Sequence, residues 1–382
     1  MKTTKNDPFF DSFVEPGFYR GKTEEDINEF HLERMIRVMD FFKFHPQTAS
    51  GFHTKQDHIE NRDVYLSGIP GKEFTTTGTT GKPFTFSCNN KPLIKISRYI
   101  KHKILSTYKI DYANSFIIFV CPFRFLEYDF YQNSEKEVVI RDRYLKTFIE
   151  ENEKLFKEKE VVLLAANSIL HKIKNEGING DFSLCISCLD RCVDRLSLSS
   201  FFGCPVCDWI RGSDGAFSSW SCPEGLYHID FEVCGIREKW GKLILTDYSN
   251  CCESFTNYSN GDLGVVSSRN KNHCRCGVPG KIMVDFFGRE TEIFKVGERK
   301  IYGMEIYVTL FPGLGFEESV LVQKRNGEIV FYVYGGSDKD SVVSKERLEY
   351  LFGDCAQVEP KDKRFFLEFQ IGAKKKKIVK EV

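Results

Sequence analysis

The order of the predicted elements restricts the fold of this chain more than any other feature of its sequence. Residues 115–122 are an apolar run typical of a buried strand, and residues 161–177 begin as a strand and continue as a helix that ends at Gly177. Helical periodicity predicts further helices over 23–43, 93–110 and 143–158. Strands that alternate with helices indicate an α/β fold for the first half of the chain.

From residue 226 onward the pattern changes to a succession of strands. Short runs rich in β-branched and aromatic residues follow one another as far as Arg289. Beyond it, Arg325-Asn326-Gly327 predicts a hairpin turn, residues 345–353 a helix and residues 364–372 a last strand. The second half of the chain is therefore predicted to be mostly β structure.

The length of the chain suits one large domain and a smaller one. It has 382 residues, enough to bury a sizeable core. Because the pattern changes near residue 289, we predict a large N-terminal domain over residues 1–288 and a small C-terminal domain over residues 289–382.

The charges of the chain balance, with 54 Lys and Arg residues against 54 Asp and Glu residues. No overall field therefore attracts the protein to nucleic acid or to a membrane, and we expect neither partner. The N-terminus lacks an apolar run of signal-peptide length, and no segment approaches the roughly 20 apolar residues of a membrane span. We expect a cytoplasmic protein whose 14 cysteines are thiols or metal ligands rather than disulfides.

The stretch Phe74–Ser87, FTTTGTTGKPFTFS, is too polar and too rich in glycine for a core strand. Backbone N–H groups in such a turn can converge on phosphate oxygens, threonine hydroxyls add uncharged donors, and Lys82 adds a point charge. The spacing is not that of a P-loop, because two residues separate Gly78 from Gly81 and Pro83 follows the lysine. From residue chemistry alone, the stretch is either a phosphate-binding loop or an exposed polar hairpin turn.

Several motifs, in the same order, resemble those of adenylate-forming enzymes and in particular the phenylacetate–coenzyme A ligase-like family. Residues 76–83, TTGTTGKP, are similar to the loop that holds the ATP phosphates in these enzymes, and residues 52–57, FHTKQD, resemble their Phe-Thr-Thr-Lys-x-Asp segment. Residues 258–263, YSNGDL, resemble a Tyr-x-Thr-Gly-Asp-Leu motif, and Gly288-Arg289 with the later Lys295-Val296-Gly297 resembles the interdomain hinge. The resemblance implies an adenylate-forming (ANL-type) α/β fold with a large N-terminal α/β domain and a small α+β C-terminal domain.

The same resemblance implies a nucleotide site. Asp262 is similar to the aspartate that binds the ribose hydroxyls, and Asp214 falls where the family has the glutamate of its Tyr-Gly-x-Ser-Glu motif, near adenine and Mg²⁺. Ile210, or Trp209 one position away, stands in place of the family aromatic. Lys374 resembles the mobile C-terminal lysine that contacts the α-phosphate, although a run of four lysines is also typical of a solvated tail. The implied catalytic residues are Lys374 and Asp214, and the implied nucleotide-binding residues are Thr76, Thr77, Gly78, Thr79, Thr80, Gly81, Lys82, Ser213, Asp262 and Arg289.

Two sets of cysteines compete for a metal ion. The pairs Cys185-x2-Cys188 and Cys204-x2-Cys207 have the spacing of a zinc ribbon, which makes them the stronger motif by spacing alone. Residues 182–188 read as a strand, however, and residues three apart on a strand point to opposite faces, so core packing is favoured for this set. The second set lies among turn residues, which can bend around an ion, and it consists of Cys222, His228, Cys274 and Cys276.

The resemblance also favours the second set. Many members of the family carry a similar Cys…His…Cys-x-Cys-Gly arrangement that binds structural zinc, and His273 is an alternative ligand here. Four protein ligands close a tetrahedral site and leave no open position for substrate, so the implied zinc is structural.

The reaction implied by the resemblance has two steps. ATP, with Mg²⁺, activates a carboxylic acid as an acyl-adenylate, and a thiol of coenzyme A or of carrier-protein phosphopantetheine then takes the acyl group. The acyl group is open, because the 35 phenylalanines suit an aryl or fatty acyl pocket and an aromatic core equally well. Two alternatives are an acyl-protein synthetase of the kind that feeds fatty aldehyde production, and a non-catalytic zinc-stabilised binding protein derived from this fold.

Overall fold

The computed structural model describes most of the chain between residues 52 and 380. The described residues are 26, 29, 33, 52–75, 84–88, 101–121, 130–188, 192, 194–212, 217–231, 233–248, 250, 252–267, 274–278, 280–371, 374–375 and 378–380.

The described elements up to residue 211 alternate between strands and helices. The strands are β1 His53–Thr54, β2 Lys72–Thr75, β3 Thr85–Cys88, β4 Ser115–Cys121, β5 Phe130–Ser134, β6 Glu137–Arg141, β7 Glu160–Ala166, β8 Leu184–Cys188 and β9 Val206–Arg211. The helices are α1 Lys55–Glu60, α2 Arg62–Tyr65, α3 over residues 101–107, α4 Leu145–Glu151, α5 Glu153–Glu158, α6 Asn167–Asn175 and α7 Arg195–Phe202.

Strands predominate in the remainder. They are β10 Ser218–Ser221, β11 Tyr227–Ile229, β12 Cys234–Lys239, β13 Lys242–Asp247, β14 Tyr258–Ser259, β15 Asp262–Val266, β16 Ile282–Arg289, β17 Phe294–Val296, β18 Arg299–Ile301, β19 Glu318–Gln323, β20 Ile329–Tyr334, β21 Ala356–Pro360, β22 Gln370–Ile371, β23 Lys374–Lys375 and β24 Ile378–Lys380. The helices are α8 Gly303–Leu310 and α9 Asp338–Phe352.

One large mixed sheet organises the described part of the chain up to Arg289. Its strand order is β1-β14-β13-β15-β16-β11-β10-β9-β8-β7-β4-β6-β5, and β12 pairs with β13. The strands β6, β4, β7, β8 and β9 run parallel to their neighbours in this order, and the step from β9 to β10 is antiparallel. The carboxyl ends of five neighbouring parallel strands therefore meet at one edge, where ligands bind in open α/β sheets.

The parallel strands are covered by helices on both faces. On β7, Leu163 packs with α6 and α7 in one apolar cluster, and its neighbour Val162 packs with α3 in another. Successive side chains of a strand point to opposite faces, so a strand buried on both sides must be apolar throughout. This explains the continuous apolar runs from which β4 and β7 were predicted.

After Arg289 the chain builds a second, smaller sheet with the order β21-β20-β19-β24. Phe331 and Ile378 belong to an apolar cluster that also takes residues from α8 and α9, and every member of that cluster follows residue 293. Helix α9 begins at a capping box, in which Ser337 accepts a hydrogen bond from the backbone N–H of Asp340.

Two of the predicted elements differ from the structure. Strand β4, the β7–α6 unit and the 325–327 hairpin are confirmed. The predicted helix 143–158 is instead a 3-10 turn followed by α4 and α5, which part at Asn152. The predicted strand 364–372 is wrong for most of its length, because Phe365–Phe369 is a 3-10 helix and only β22 is extended.

Two predicted helices are described only in part. Of the range 23–43, only Asp26, Glu29 and Glu33 are described, and these residues are helical and exposed. Of the range 93–110, the helical part that is described is α3. Among the described residues, no helix is both long and apolar enough to cross a membrane.

Candidate functional site

The threonine-glycine loop, residues 76–83, joins two strands that pair with each other. Strands β2 and β3 pair antiparallel with Phe74 opposite Phe86 and Thr75 opposite Thr85, and the two threonine hydroxyls lie 2.9 Å apart. Residues 76–83, which include all the predicted phosphate ligands of the loop, lie outside the described residues. The strands β2 and β3 are the described elements on either side of these predicted ligands.

A group of buried charges holds both strands of this hairpin at its base. The guanidinium of Arg62 donates to Glu73 on β2 at 2.9 Å and to the Ser87 hydroxyl on β3 at 2.9 Å. It also donates to Glu253 at 3.2 Å, and Glu253 accepts the backbone N–H of Ser87 at 2.6 Å. His58 on α1 completes the group, with Nε2 2.7 Å from the Glu253 carboxylate. We refer to Arg62, Glu253 and His58 as the hairpin clamp.

The clamp is protected from solvent. The side chains of His58 and Glu253 are fully buried, and Arg62 is partly buried. Burial alone would lower the pKa of Arg62, but hydrogen bonds to Glu253 and Glu73 outweigh it, so the pKa of Arg62 is raised. A buried carboxylate needs such partners, because removing one of them typically destabilises a protein by about 3–5 kcal/mol.

Asp262 and Arg289, which the sequence places in separate motifs, lie side by side. They are paired residues of β15 and β16, and Arg289 Nε is 3.4 Å from Asp262 Oδ1. Asn260 donates its amide to the second carboxylate oxygen of Asp262 at 2.7 Å. Asp262 is buried except for a small exposed fraction, so its carboxylate is held in one orientation beside a positive charge.

The other predicted nucleotide residues are described less fully. Ser213 and Asp214 lie outside the described residues, immediately after β9 ends at Arg211. Lys374 lies in β23, where it pairs with Ile371 of β22. The lysine run therefore begins in a short hairpin rather than in a plain tail, and the catalytic role of Lys374 stays a prediction.

The four predicted metal ligands converge on one point. One ligand atom from each of Cys222, His228, Cys274 and Cys276 lies within 4.8 Å of every other. The Cys222 and Cys274 sulfurs are 3.4 Å apart, and the Cys276 sulfur is 3.2 Å from His228 Nε2. A tetrahedral zinc ion with Zn–S bonds of about 2.3 Å separates its ligand atoms by about 3.8 Å, so this set fits such an ion.

Tight turns shape the cysteine segments of this cluster. Gly225 donates its N–H to the Cys222 carbonyl and Gly277 donates to the Cys274 carbonyl, each at 2.9 Å, and both glycines have positive φ. The fourth ligand, His228, lies on strand β11, which pairs with β16. Hydrogen bonding from Cys276 is the main reason why the pKa of the Cys222 thiol is lowered, and the same hydrogen bond raises the pKa of Cys276. The arrangement thus favours a thiolate at Cys222, the form that binds metals.

The competing cysteine set is divided between the two faces of the sheet. Cys185 and Cys204 lie 3.6 Å apart in the apolar cluster on the α6–α7 side, whereas Cys188 and Cys207 belong to the cluster on the α3 side. Among the described residues, these four cysteines form no metal-binding group. The prediction that they are core residues is confirmed.

Comparison with known proteins identifies the fold but not a close relative. No protein-family model matches the sequence, and no curated protein matches it. Among solved structures, it is similar to 2-hydroxyisobutyryl-CoA ligase in the postadenylation state, in complex with R3-HIB-AMP, with a TM-score of 0.68 and 13% identity over 98% of this chain and 96% of that one. The chain has the adenylate-forming fold. The predicted fold is thereby confirmed, while membership of the phenylacetate–coenzyme A ligase-like family stays a prediction.

Two further structures share this adenylate-forming fold. The anthranilate CoA ligase AuaEII, in complex with anthranoyl-AMP, is 12% identical over 78% of this chain and 66% of that one, with a TM-score of 0.51. The R195K form of MenE from E. coli, with bound OSB-AMS, is 12% identical over 76% of this chain and 66% of that one, also with a TM-score of 0.51.

A second structure of the first ligase matches with a lower score. For its complex with 2-HIB-AMP and CoA in the thioesterification state, the TM-score is 0.51 at the same coverage, against 0.68 for the postadenylation state.

The sequence analysis missed the hairpin clamp. Its members lie in two separate segments of the chain, because His58 and Arg62 are close in sequence but Arg62 and Glu253 are 191 residues apart. The only local signal was the segment 52–57, in which Thr54 and Asp57 form the capping box of α1. Nothing in the sequence connects that helix with Glu253.

Proposed function

We propose that this protein activates a carboxylic acid with ATP and passes the acyl group to a thiol. In the first step a substrate carboxylate oxygen attacks the α-phosphorus of ATP, a new P–O bond forms, and pyrophosphate leaves. In the second step a thiolate attacks the acyl carbon, which gives a thioester and AMP. The observation that carries the proposal is the pairing of Asp262 with Arg289 within an adenylate-forming fold.

The residues have distinct roles in the first step. The backbone and hydroxyl donors of residues 76–81 and the ammonium of Lys82 stabilise the leaving pyrophosphate. Asp214 would help to hold Mg²⁺, which would supply further positive charge for the pyrophosphate. Asp262 accepts hydrogen bonds from the ribose hydroxyls, and Ser213 lies next to the adenine site. Lys374 stabilises the charge that develops at the α-phosphate during attack.

The second step requires the acceptor thiol to reach the same acyl-adenylate. We propose that residues 289–382 move as a unit relative to residues 1–288, with the end of strand β16 at Gly288-Arg289 as hinge. Gly288 has a φ of +91°, a conformation that other residues rarely adopt. The acceptor is coenzyme A or the phosphopantetheine of a carrier protein.

The Cys222, His228, Cys274 and Cys276 cluster holds a structural zinc ion in this proposal. It supplies four ligands and so leaves no open coordination position for substrate. The metal joins the β10–β11 segment to the residues that precede β16, and this tie supports the strand that carries Arg289.

Pyrophosphate exchange tests the first step. Purified protein is incubated with ATP, labelled pyrophosphate and each member of a panel of carboxylic acids, and acid-dependent exchange is expected. Lys82→Ala and the double variant Thr79→Ala/Thr80→Ala are expected to weaken exchange while the melting temperature and zinc content stay unchanged. Lys345→Ala, an exposed residue of α9, is the control and is expected to behave like the original protein.

The outcome separates the candidate functions. If both loop variants exchange pyrophosphate as fast as the original protein, the loop does not bind the ATP phosphates. Absence of exchange with every acid would overturn the proposed function and favour a non-catalytic zinc-stabilised binding protein. Competition between coenzyme A and a phosphopantetheinylated carrier protein then identifies the acceptor.

A further inference from the structure

Arg211 is the last residue of β9, at the edge of the sheet where the parallel strands end. It is partly buried, and within the described part of the chain its guanidinium makes no hydrogen bond and no ion pair. Most partly buried arginines have at least one such partner, because an unpaired charged group loses hydration without compensation. The position therefore needs an explanation.

Among the described residues, the two carboxylates that act on Arg211 already have other partners. Asp230 is fully buried, and it accepts from Ser218 at 2.5 Å and from the Trp220 indole at 3.0 Å, while the Lys103 ammonium lies 3.5 Å away. Asp247 is buried on β13 and has contacts of its own. Both carboxylates favour the charged form of Arg211 from a distance, but burial dominates and lowers the pKa of the guanidinium.

The proposed ATP ligands do not use this charge. The phosphates are assigned to residues 76–82 and Lys374, and the ribose is assigned to Asp262. Arg211 is also absent from the hairpin clamp. It is thus a cation at the ligand-binding edge of the sheet to which the proposed reaction assigns no task.

We propose that Arg211 binds an oxyanion of the bound reactants, and that this oxyanion is a second carboxylate of the acid substrate. The protein accordingly selects dicarboxylic acids, of which one carboxylate is adenylated and the other is held by Arg211. This assignment rests on the function proposed above. A guanidinium suits the task because its planar fork donates two parallel hydrogen bonds to one carboxylate.

The test compares acids that differ only in the second carboxylate. Exchange is measured with propionate against succinate, hexanoate against adipate, and benzoate against its three carboxylated isomers. The best dicarboxylic acid is expected to exceed its partner roughly tenfold to a hundredfold in kcat/KM, the range that one hydrogen-bonded charge pair supplies. Arg211→Met is expected to abolish the preference for the dicarboxylic acid. Its KM for ATP is expected to stay within about twofold of that of the original protein, because Arg211 contacts only the acid substrate in this proposal.

Two further variants complete the test. Arg211→Lys keeps the positive charge but loses the two parallel donors of the guanidinium, and it is expected to retain part of the preference for dicarboxylic acids. If Arg211→Met fails to fold, Arg211→Lys takes its place in the test. Arg325→Met, in the exposed β19–β20 turn, is expected to change nothing.

Three results would overturn the assignment. The first is equal use of monocarboxylic and dicarboxylic acids by the original protein and by Arg211→Met. The second is a raised KM for ATP in Arg211→Met with an unaltered acid preference, which would assign the arginine to a nucleotide phosphate. The third is absence of exchange with every acid, which overturns the proposed function as well, whereas the first two leave that function standing.

Discussion

At the residue scale, the site depends on a few charged side chains whose neighbours restrict their orientation. The Asp262 carboxylate is held between the Asn260 amide and the Arg289 guanidinium. Hydrogen bonds to a charged group contribute about 1.5–3 kcal/mol each, more than neutral ones. A carboxylate whose orientation is already fixed before the ligand binds loses little conformational entropy when ligand hydroxyls donate to it.

Replacement of Asp262 by asparagine tests its role in binding ribose. The change removes the negative charge and one acceptor, so we expect Asp262→Asn to raise the KM for ATP about tenfold or more in the exchange assay. Asp285→Asn, the same change at an exposed position of β16, is the matched control and should leave the KM unaltered. Equal behaviour of the two variants would remove Asp262 from the nucleotide site.

Replacement of single cysteines decides between the two cysteine sets. Cys274→Ser removes one of four convergent ligands, and we expect the purified variant to lose most of its zinc when metal content is measured by mass spectrometry. Cys185→Ser alters a residue in the apolar cluster on the α6–α7 side, and it should keep a full equivalent of metal. Loss of zinc from the second variant alone would overturn the assignment.

At the scale of elements, the hairpin β2–β3 needs support because two short strands are only marginally stable by themselves. Arg62 contacts β2 through Glu73 and β3 through Ser87, and Glu253 accepts from both Arg62 and the Ser87 backbone. The clamp thus restricts the hairpin at the end opposite the threonine-glycine loop. We infer that it limits where the loop can present its donors.

The variant Arg62→Lys tests this support. A lysine is a single point charge and cannot bridge Glu73, Ser87 and Glu253 at once. We therefore expect the KM for ATP in the exchange assay to rise roughly tenfold, while kcat changes much less, because the loop loses its position rather than its chemistry.

A matched control separates positioning from general stability. Arg299 donates to Glu305 at 2.8 Å on the exposed surface, and Arg299→Lys should change neither the KM nor the melting temperature, since exposed ion pairs contribute little. If Arg62→Lys lowers the melting temperature but leaves the KM for ATP unchanged, the clamp has only a structural role.

At the scale of the whole molecule, the zinc cluster joins segments that the chain brings together from far apart. Cys222 and Cys274 are 52 residues apart in sequence, and the intervening chain includes β11 to β15. Binding of a metal by such segments contributes directly to folding, with apparent energies of about 10–16 kcal/mol in peptides.

Removal of the metal should therefore destabilise the protein. We expect a strong chelator to lower the melting temperature by on the order of 10 °C, and added zinc to restore it. The Cys274→Ser variant is the control, because it should melt at the lower temperature with or without chelator. An unchanged melting temperature in the original protein after verified loss of metal would show that the cluster is not a stabilising tie.

The sequence by itself determined the class of the fold and the local chemistry. Continuous apolar runs at residues 115–122 and 161–166 are typical of strands buried on both faces, and the three-residue spacing of Cys185 and Cys188 places them on opposite faces, as found. The order of the motifs predicted the adenylate-forming fold. The strand and cysteine predictions needed only periodicity and residue type, which are local properties, whereas the adenylate-forming fold was predicted from the resemblance of the motifs to those of a known family.

Only the tertiary structure decided which distant side chains meet. Asp262 faces Arg289 because β15 pairs with β16 in one register, and Glu253 reaches Arg62 because β1 and β14 bring their segments together. Likewise, only the contacts of Asp230 show that this carboxylate is engaged by Lys103 and Trp220 and that Arg211 has no ion-pair partner within the described part of the chain. Such contacts depend on strand order and register, which arise from packing of the whole chain, so no local pattern in the sequence encodes them.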